Sequence, residues 1–233
     1  MIVRTLISLT LFVVLTSFSG LENKKTMEKP KIIYVYDPMC GWCYGFSTVI
    51  KEIENEYKQK FNFEIISGGM VVGDREGPIG DFADYILSAY KRVESKTGIK
   101  FGEPYLELLK KKDYFSSSVK PSIALSYIKD IKPEIAISFA HDMQKRFYFD
   151  GKLLHENESY LPLLEKYQIN KEDFFKAIES DLYKTKANED FNASRKMGVT
   201  GFPCVIVLKD AKYQIISSGY SSKKELAKAL DKI

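Results

Sequence analysis

The chain is poor in soft metal ligands. Its 233 residues include only three cysteines (Cys40, Cys43 and Cys204) and two histidines (His141 and His155). A structural zinc ion takes four ligands; Cys40 and Cys43 could form half of such a site, but Cys204, His141 and His155 stand at no standard spacing to complete it, so no metal is expected. Three cysteines are also too few to staple a chain of this size as a disulfide scaffold. They suit one working pair and one spare thiol. A block of like charge is missing too. The net charge is +4, and the basic residues are scattered with no stripe, which argues against nucleic acid as a partner. Gly68-Gly69-Met70, Gly73, Gly77 and Gly80 lack the order of a phosphate-binding loop and have no adjoining Lys-Ser/Thr, so they read as backbone turns. There is no internal repeat, low-complexity tract or separate dimerisation segment. A composition of 45% hydrophobic and 28% charged residues fits one globular domain, or one domain carrying a large insertion.

Long apolar runs are confined to the start. Arg4 supplies a positive flank, Leu6 to Phe18 is largely apolar, and Ser17-Phe18-Ser19 places small residues before Gly20. Residues 1–19 therefore read as a secretory signal peptide. The run is short against the roughly 20 apolar residues of a membrane span, and an uncleaved anchor is the alternative. No cysteine lies near the cleavage-type positions, which argues against a lipoprotein anchor. Residues 20–30 form a polar, lysine-rich lead-in. The expected location is outside the cytosol, the periplasm if the host is Gram-negative, where disulfides persist.

The pair Cys40-Gly41-Trp42-Cys43 follows Lys31-Ile32-Ile33-Tyr34-Val35-Tyr36, a β-branched and aromatic run that predicts a buried strand. After it, Phe46, Val49, Ile50, Ile53 and Tyr57 recur on one helical face, predicting a helix over about 41–59. Both cysteines then sit in the first turn of a helix leaving a strand. Unpaired N–H groups and the helix dipole favour a thiolate there, the form that attacks disulfides. Residues three apart face the same way, so the second thiol can close on the first.

Phe61 to Ile66 predicts a second strand and a parallel strand-helix-strand unit. Residues 81–197 read as helical almost throughout, with stripes such as Ala136, Phe139, Ala140, Met143, Phe147 and breaks near Gly98–Pro104, Ser116–Pro121, Pro133 and Asp150-Gly151. Strand character returns at Val205–Leu208 and Tyr213–Ile216, flanking a turn at Lys209–Lys212. Ser222 with Glu225 marks the start of a last helix. The expected fold is α/β, in the order β-α-β, a helical insertion, then β-β-α. Residues 31–80 form the first half, 81–197 the insertion and 198–233 the second half.

That order, with the cysteine pair at the first strand-to-helix turn, resembles the thioredoxin fold with the helical insertion of DsbA-like proteins. Asp37-Pro38-Met39-Cys40-Gly41-Trp42-Cys43-Tyr44-Gly45-Phe46 resembles a DsbA-like subfamily labelled predicted protein-disulfide isomerase. Gly198-Val199-Thr200-Gly201-Phe202-Pro203 is a second match, and Met143-Gln144 through Phe147-Tyr148 to Gly151 a looser third. The resemblance spans roughly 31–232. It implies that Cys40 is the exposed nucleophile and Cys43 the buried resolving thiol. It also implies a cis bond before Pro203, which leaves the backbone free to pair with a substrate strand. Proline lacks an N–H, and X–Pro is the bond where cis is cheap.

Two positions depart from the wider pattern. Tyr34 stands where many thioredoxin-fold enzymes bury a carboxylate, six residues before the first cysteine, while Asp37 belongs to the loop. No histidine lies between the cysteines, so a less extreme oxidant is expected.

The expectation is an exported thiol–disulfide oxidoreductase acting on cysteine-containing protein substrates and recycled by an unidentified redox partner. Oxidation or isomerisation is favoured over reduction, with no metal or organic cofactor. Trp42, Met39 and Phe202 are read as exposed substrate contacts facing a wall of insertion helices. The alternatives are a glutathione transferase of the kappa class or a hydroxychromene-carboxylate isomerase, which use one Ser or Cys with glutathione, and a non-catalytic binding module. A purely structural disulfide is the lesser reading of the pair, and redox function the favoured one. Cys204 reads as a small buried hydrophobe, with a redox-sensitive thiol as the other reading. His141 and His155 read as structural or solvated. Asn157-Glu158-Ser159 and Asn192-Ala193-Ser194 match a glycosylation pattern that is common by chance.

Overall fold

A computed structural model describes residues 29–233, so the signal-peptide reading of 1–19 and most of the lead-in lie outside the described residues. The run of alternating Ile and Tyr forms β1 (Lys31–Tyr36), followed by α1 (Gly41–Tyr57) and β2 (Asn62–Ser67). The second half supplies β5 (Cys204–Lys209), β6 (Lys212–Ser218) and α9 (Lys223–Leu230). The sheet order is β2-β1-β5-β6, with β1 parallel to β2 and antiparallel to β5, and β5 antiparallel to β6. β1 lies between two strands and is covered on both faces, which is why its sequence runs apolar without a polar alternate. Ile32, Tyr34 and Tyr36 face the main core with Phe46, Ile50, Ile53 and Tyr57 of α1. Ile33, Val35, Ile66, Cys204 and Ile206 form a smaller cluster on the opposite face, covered by Ala193, Met197 and Val199. Cys204 is therefore packed among aliphatic side chains.

Between β2 and β5 lie a two-stranded ribbon and seven helices. The ribbon pairs β3 (Gly77–Pro78) with β4 (Phe115–Ser116). The helices are α2 (Phe82–Thr97), α3 (Glu103–Lys111), α4 (Val119–Ile131), α5 (Ala136–Tyr148), α6 (Leu161–Lys166), α7 (Lys171–Glu179) and α8 (Asp181–Lys196). The ribbon is an addition to the block read as helical almost throughout: β4 falls at its expected break near Ser116, and β3 lies in the glycine-rich loop before it. Ile79 N–H donates to Tyr114 O at 2.9 Å, so part of the glycine-rich loop is paired backbone and not a free turn. The β5–β6 turn is tighter than expected. Asp210 and Ala211 alone form it, both with positive φ (50° and 59°), the backbone that matches strand twist in two-residue hairpins. Ser222 caps α9 reciprocally with Glu225, as the sequence pattern requires.

The insertion reaches the end of the sheet where β1 meets α1. Gly45 of α1 lies against α2, where a Cβ would come 2.8 Å from Thr97 Cγ2. The Phe101 ring sits 3.5 Å from where a Cβ on Gly41 would be. No helix among the described residues is long and apolar enough to cross a membrane.

Candidate active site

The loop Asp37–Met39 leaves β1, and Cys40 caps α1 in extended conformation (φ −97°, ψ 111°). Its sulfur takes the role a serine or aspartate oxygen plays at other helix starts. Cys43 N–H donates to Cys40 Sγ at 3.3 Å, and the Cys40 thiol donates to Phe202 O at 3.7 Å. The two cysteines and the Phe202–Pro203 segment thus converge, and the Phe202–Pro203 bond is cis. Pro203 is buried at the start of β5.

Cys43 lies behind Cys40 and is fully buried. Burial pushes its thiol well above the usual range, reinforced by its hydrogen bond to Cys40 and the proximity of that group. Asp37 N–H points at Cys43 Sγ from 3.5 Å. Tyr34, six residues before Cys40, directs its hydroxyl at Cys43 O at 3.5 Å, a long contact, and burial holds the phenol protonated.

The expectation that Cys40 is exposed needs correcting. Cys40 is 6% exposed, because the α1 backbone and the Phe202 carbonyl close around the sulfur. Met39, Trp42 and Phe202 are partly buried rather than freely exposed, each packed against the core. Trp42 leans on Tyr220 with ring centroids 6.3 Å apart. The Phe202 ring packs against Gly68, where a Cβ would fall 2.0 Å from its Cε1.

Sequence reasoning missed the residues that brace this site. The Asp37 carboxylate is wholly buried and accepts from Met39 N–H at 2.9 Å, Ser118 Oγ–H at 2.7 Å and Met70 N–H at 2.7 Å. Burial raises its carboxyl to about 6 even though those three donors pull the other way. Gln144 of α5 donates to Asp37 O at 3.1 Å and Cys40 O at 3.5 Å. Met70 and Ser118 gave no motif, since their part is defined by contacts across 33 and 81 residues of sequence. Gln144 lay within the looser match quoted above. The histidines stand apart from the sulfurs. His141 Nδ1 pairs with Ser47 Oγ at 2.7 Å, and burial lowers its pKa to about 4. His155 meets Phe115 edge-on. Among the described residues no cluster of His, Cys, Asp and Glu could hold a metal ion.

A thiol capping a helix, a buried second thiol one turn on and the Phe202–Pro203 segment alongside fit a thiol–disulfide oxidoreductase of thioredoxin fold. The sequence model of the thioredoxin family matches residues 34–222, and the chain belongs to that family. A protein from Nitrosomonas europaea assigned as a protein disulfide isomerase superposes with a TM-score of 0.76 at 25% identity, covering 88% of this chain and 97% of that one. The cytosolic disulfide reductase DsbM of Pseudomonas aeruginosa superposes with a TM-score of 0.70 at 21% identity, covering 86% and 94%. Among curated proteins, the ClpXP adapter protein SpxH of Halalkalibacterium halodurans is 19% identical over 197 residues, which is 81% of this chain. The chain spans 62% of that relative's length. These similarities extend along the inserted helices as well as the sheet.

Proposed function

We propose that this enzyme works outside the cytosol, in the periplasm if the host is Gram-negative, and that it oxidises or isomerises disulfides in protein substrates. The observation that carries the chemistry is the seat of Cys40 Sγ between the Cys43 N–H and the Phe202 carbonyl, with Cys43 directly behind it. In oxidation, a substrate thiolate attacks Cys40 of the Cys40–Cys43 disulfide. Cys43 leaves as thiolate and takes a proton. A second substrate thiolate then attacks its own sulfur in the mixed disulfide and releases Cys40, so two electrons pass to the enzyme. A redox partner removes them. In isomerisation, the Cys40 thiolate opens a substrate disulfide and leaves when a different substrate thiol attacks the mixed disulfide.

Export is supported by the leader pattern of residues 1–19, and export favours oxidation or isomerisation, since substrate disulfides persist outside the cytosol. The isomerase assignment of the Nitrosomonas relative points the same way. Cys43 beside Cys40 speaks for exchange over single-thiol glutathione chemistry. The test has two arms. A fusion of residues 1–30 to a reporter active only after export should give signal. The protein from residue 29 onward should reactivate scrambled ribonuclease faster than it reduces insulin under a matched glutathione buffer. Insulin reduction without reactivation, or a silent reporter, would contradict the reading.

A further inference from the structure

Asp37 is the most heavily bonded buried side chain near the sulfurs, and its carboxylate bonds do not go to them. They go to Met39 of its own loop, to Met70 in the segment after β2 and to Ser118 at the start of α4. Ser118 carries the connection further. Its hydroxyl accepts from Val71 N–H at 3.1 Å, and its own N–H donates to Val71 O at 2.8 Å. Within segment 68–72, Gly68 N–H donates to Tyr36 O at 2.7 Å and Gly69 O accepts from Arg75 at 2.9 Å, while Met70 and Val71 are fixed through Asp37 or its hydroxyl partner. The same segment supplies one side of the Cys40 surroundings. The Gly68 backbone supports the Phe202 ring, and the Phe202 carbonyl receives the Cys40 thiol at 3.7 Å. Met70 and Val72 are partly buried on the core beside it.

We infer that Asp37 is a positioning residue which fastens segment 68–72 to the Cys40 loop and so shapes the wall on which a protein substrate is held. It acts through the segment and not on sulfur. A carboxylate suits this task because each of its three partners donates, and it accepts from all of them without supplying a donor of its own. Asparagine matches its shape but cannot match that pattern. Whichever way the amide is turned, its NH2 group faces a backbone N–H, either that of Met70 or that of Met39.

The assignment rests on the thiol–disulfide reading for its effect on substrate, and the test separates the two. Asp37→Asn and Ser118→Ala are compared with wild type by amide hydrogen exchange and by insulin reduction. Ser118→Ala guards against a folding defect in the first variant, and exchange in β5 reports the integrity of the fold. In both variants, exchange at Met70 and Val71 should rise by about 10-fold or more, the size expected for losing a charge-assisted bond. The KM for insulin should rise about fivefold while kcat changes less than twofold. The opposite split overturns the assignment. If kcat falls with KM and segment exchange unchanged, Asp37 acts at the sulfurs. Unchanged exchange in both variants overturns it as well. A wild type inert toward every disulfide would refute the thiol–disulfide reading instead. The exchange arm needs no substrate and would still decide whether Asp37 fastens the segment.

Discussion

Cys40 and Cys43 are three residues apart, yet their surroundings differ. Cys40 caps the helix beside partly exposed Met39, Gly41 and Trp42, whereas Cys43 is sealed beneath it and its thiol is held protonated by burial. Iodoacetamide at neutral pH should label Cys40 at least about 10-fold faster than Cys43 or Cys204 in the reduced protein, read by peptide mass spectrometry. Equal labelling, or Cys43 first, would reverse the roles. Cys204 belongs with the protected group, since burial pushes its thiol up to about 11.

Asp37 gives a second consequence at this scale. Its folded pKa, about 6, lies above the ordinary 3.8, so between those values the folded chain holds a proton that the unfolded chain has released. Stability from this residue is fully present below about pH 4 and is lost as pH rises through about 6. The ionised form then costs on the order of 3 kcal/mol relative to the protonated one. Asparagine carries no such cost. Urea unfolding of Asp37→Asn and wild type should therefore show the variant gaining on wild type between about pH 4 and pH 7.5. A stability difference independent of pH would show that Asp37 is not titrating in this range.

At the scale of elements, what was legible in the sequence was periodic or local. β1 and α1 announce themselves because each buries a continuous face, and α9 because its cap is written in two residues three apart. The β3–β4 ribbon was illegible. Two residues per strand carry no period, and its partners lie far apart along the chain, Gly77 with Ser116 and Pro78 with Phe115. The braces of the site were hidden for the same reason. Asp37 was visible as a loop residue, but its engagement by Met70 and Ser118 exists only once the insertion has folded back on the β1 end.

The joint between α3 and α5 shows how tightly the insertion is closed. Gly102 N–H donates to Tyr148 O at 3.0 Å, and a Cβ on Gly102 would fall 1.8 Å from Phe149 O. That obstacle is backbone, so relief requires moving a helix end. Gly102→Ala should cost at least about 2 kcal/mol in urea unfolding, within the range for overpacked interiors and their tails. A cost below about 0.5 kcal/mol would mean the joint is looser than the contacts indicate.

For the whole molecule, the sheet fixes the positions of Cys40 and Pro203, while the insertion supplies Ser118 and Gln144 behind them. The fold by itself does not choose a direction of electron flow, and relatives of similar shape include a protein assigned as an isomerase and a reductase. The chemistry common to both directions is one attacking sulfur and one resolving sulfur. The most direct test is to mix reduced Cys43→Ala protein with a disulfide-linked peptide, quench with acid and weigh the intact protein. The account predicts a long-lived adduct of one peptide per chain, bonded to Cys40 and released by reductant, where wild type shows only a fleeting one. No adduct on Cys40, or an equally persistent one in wild type, would contradict it.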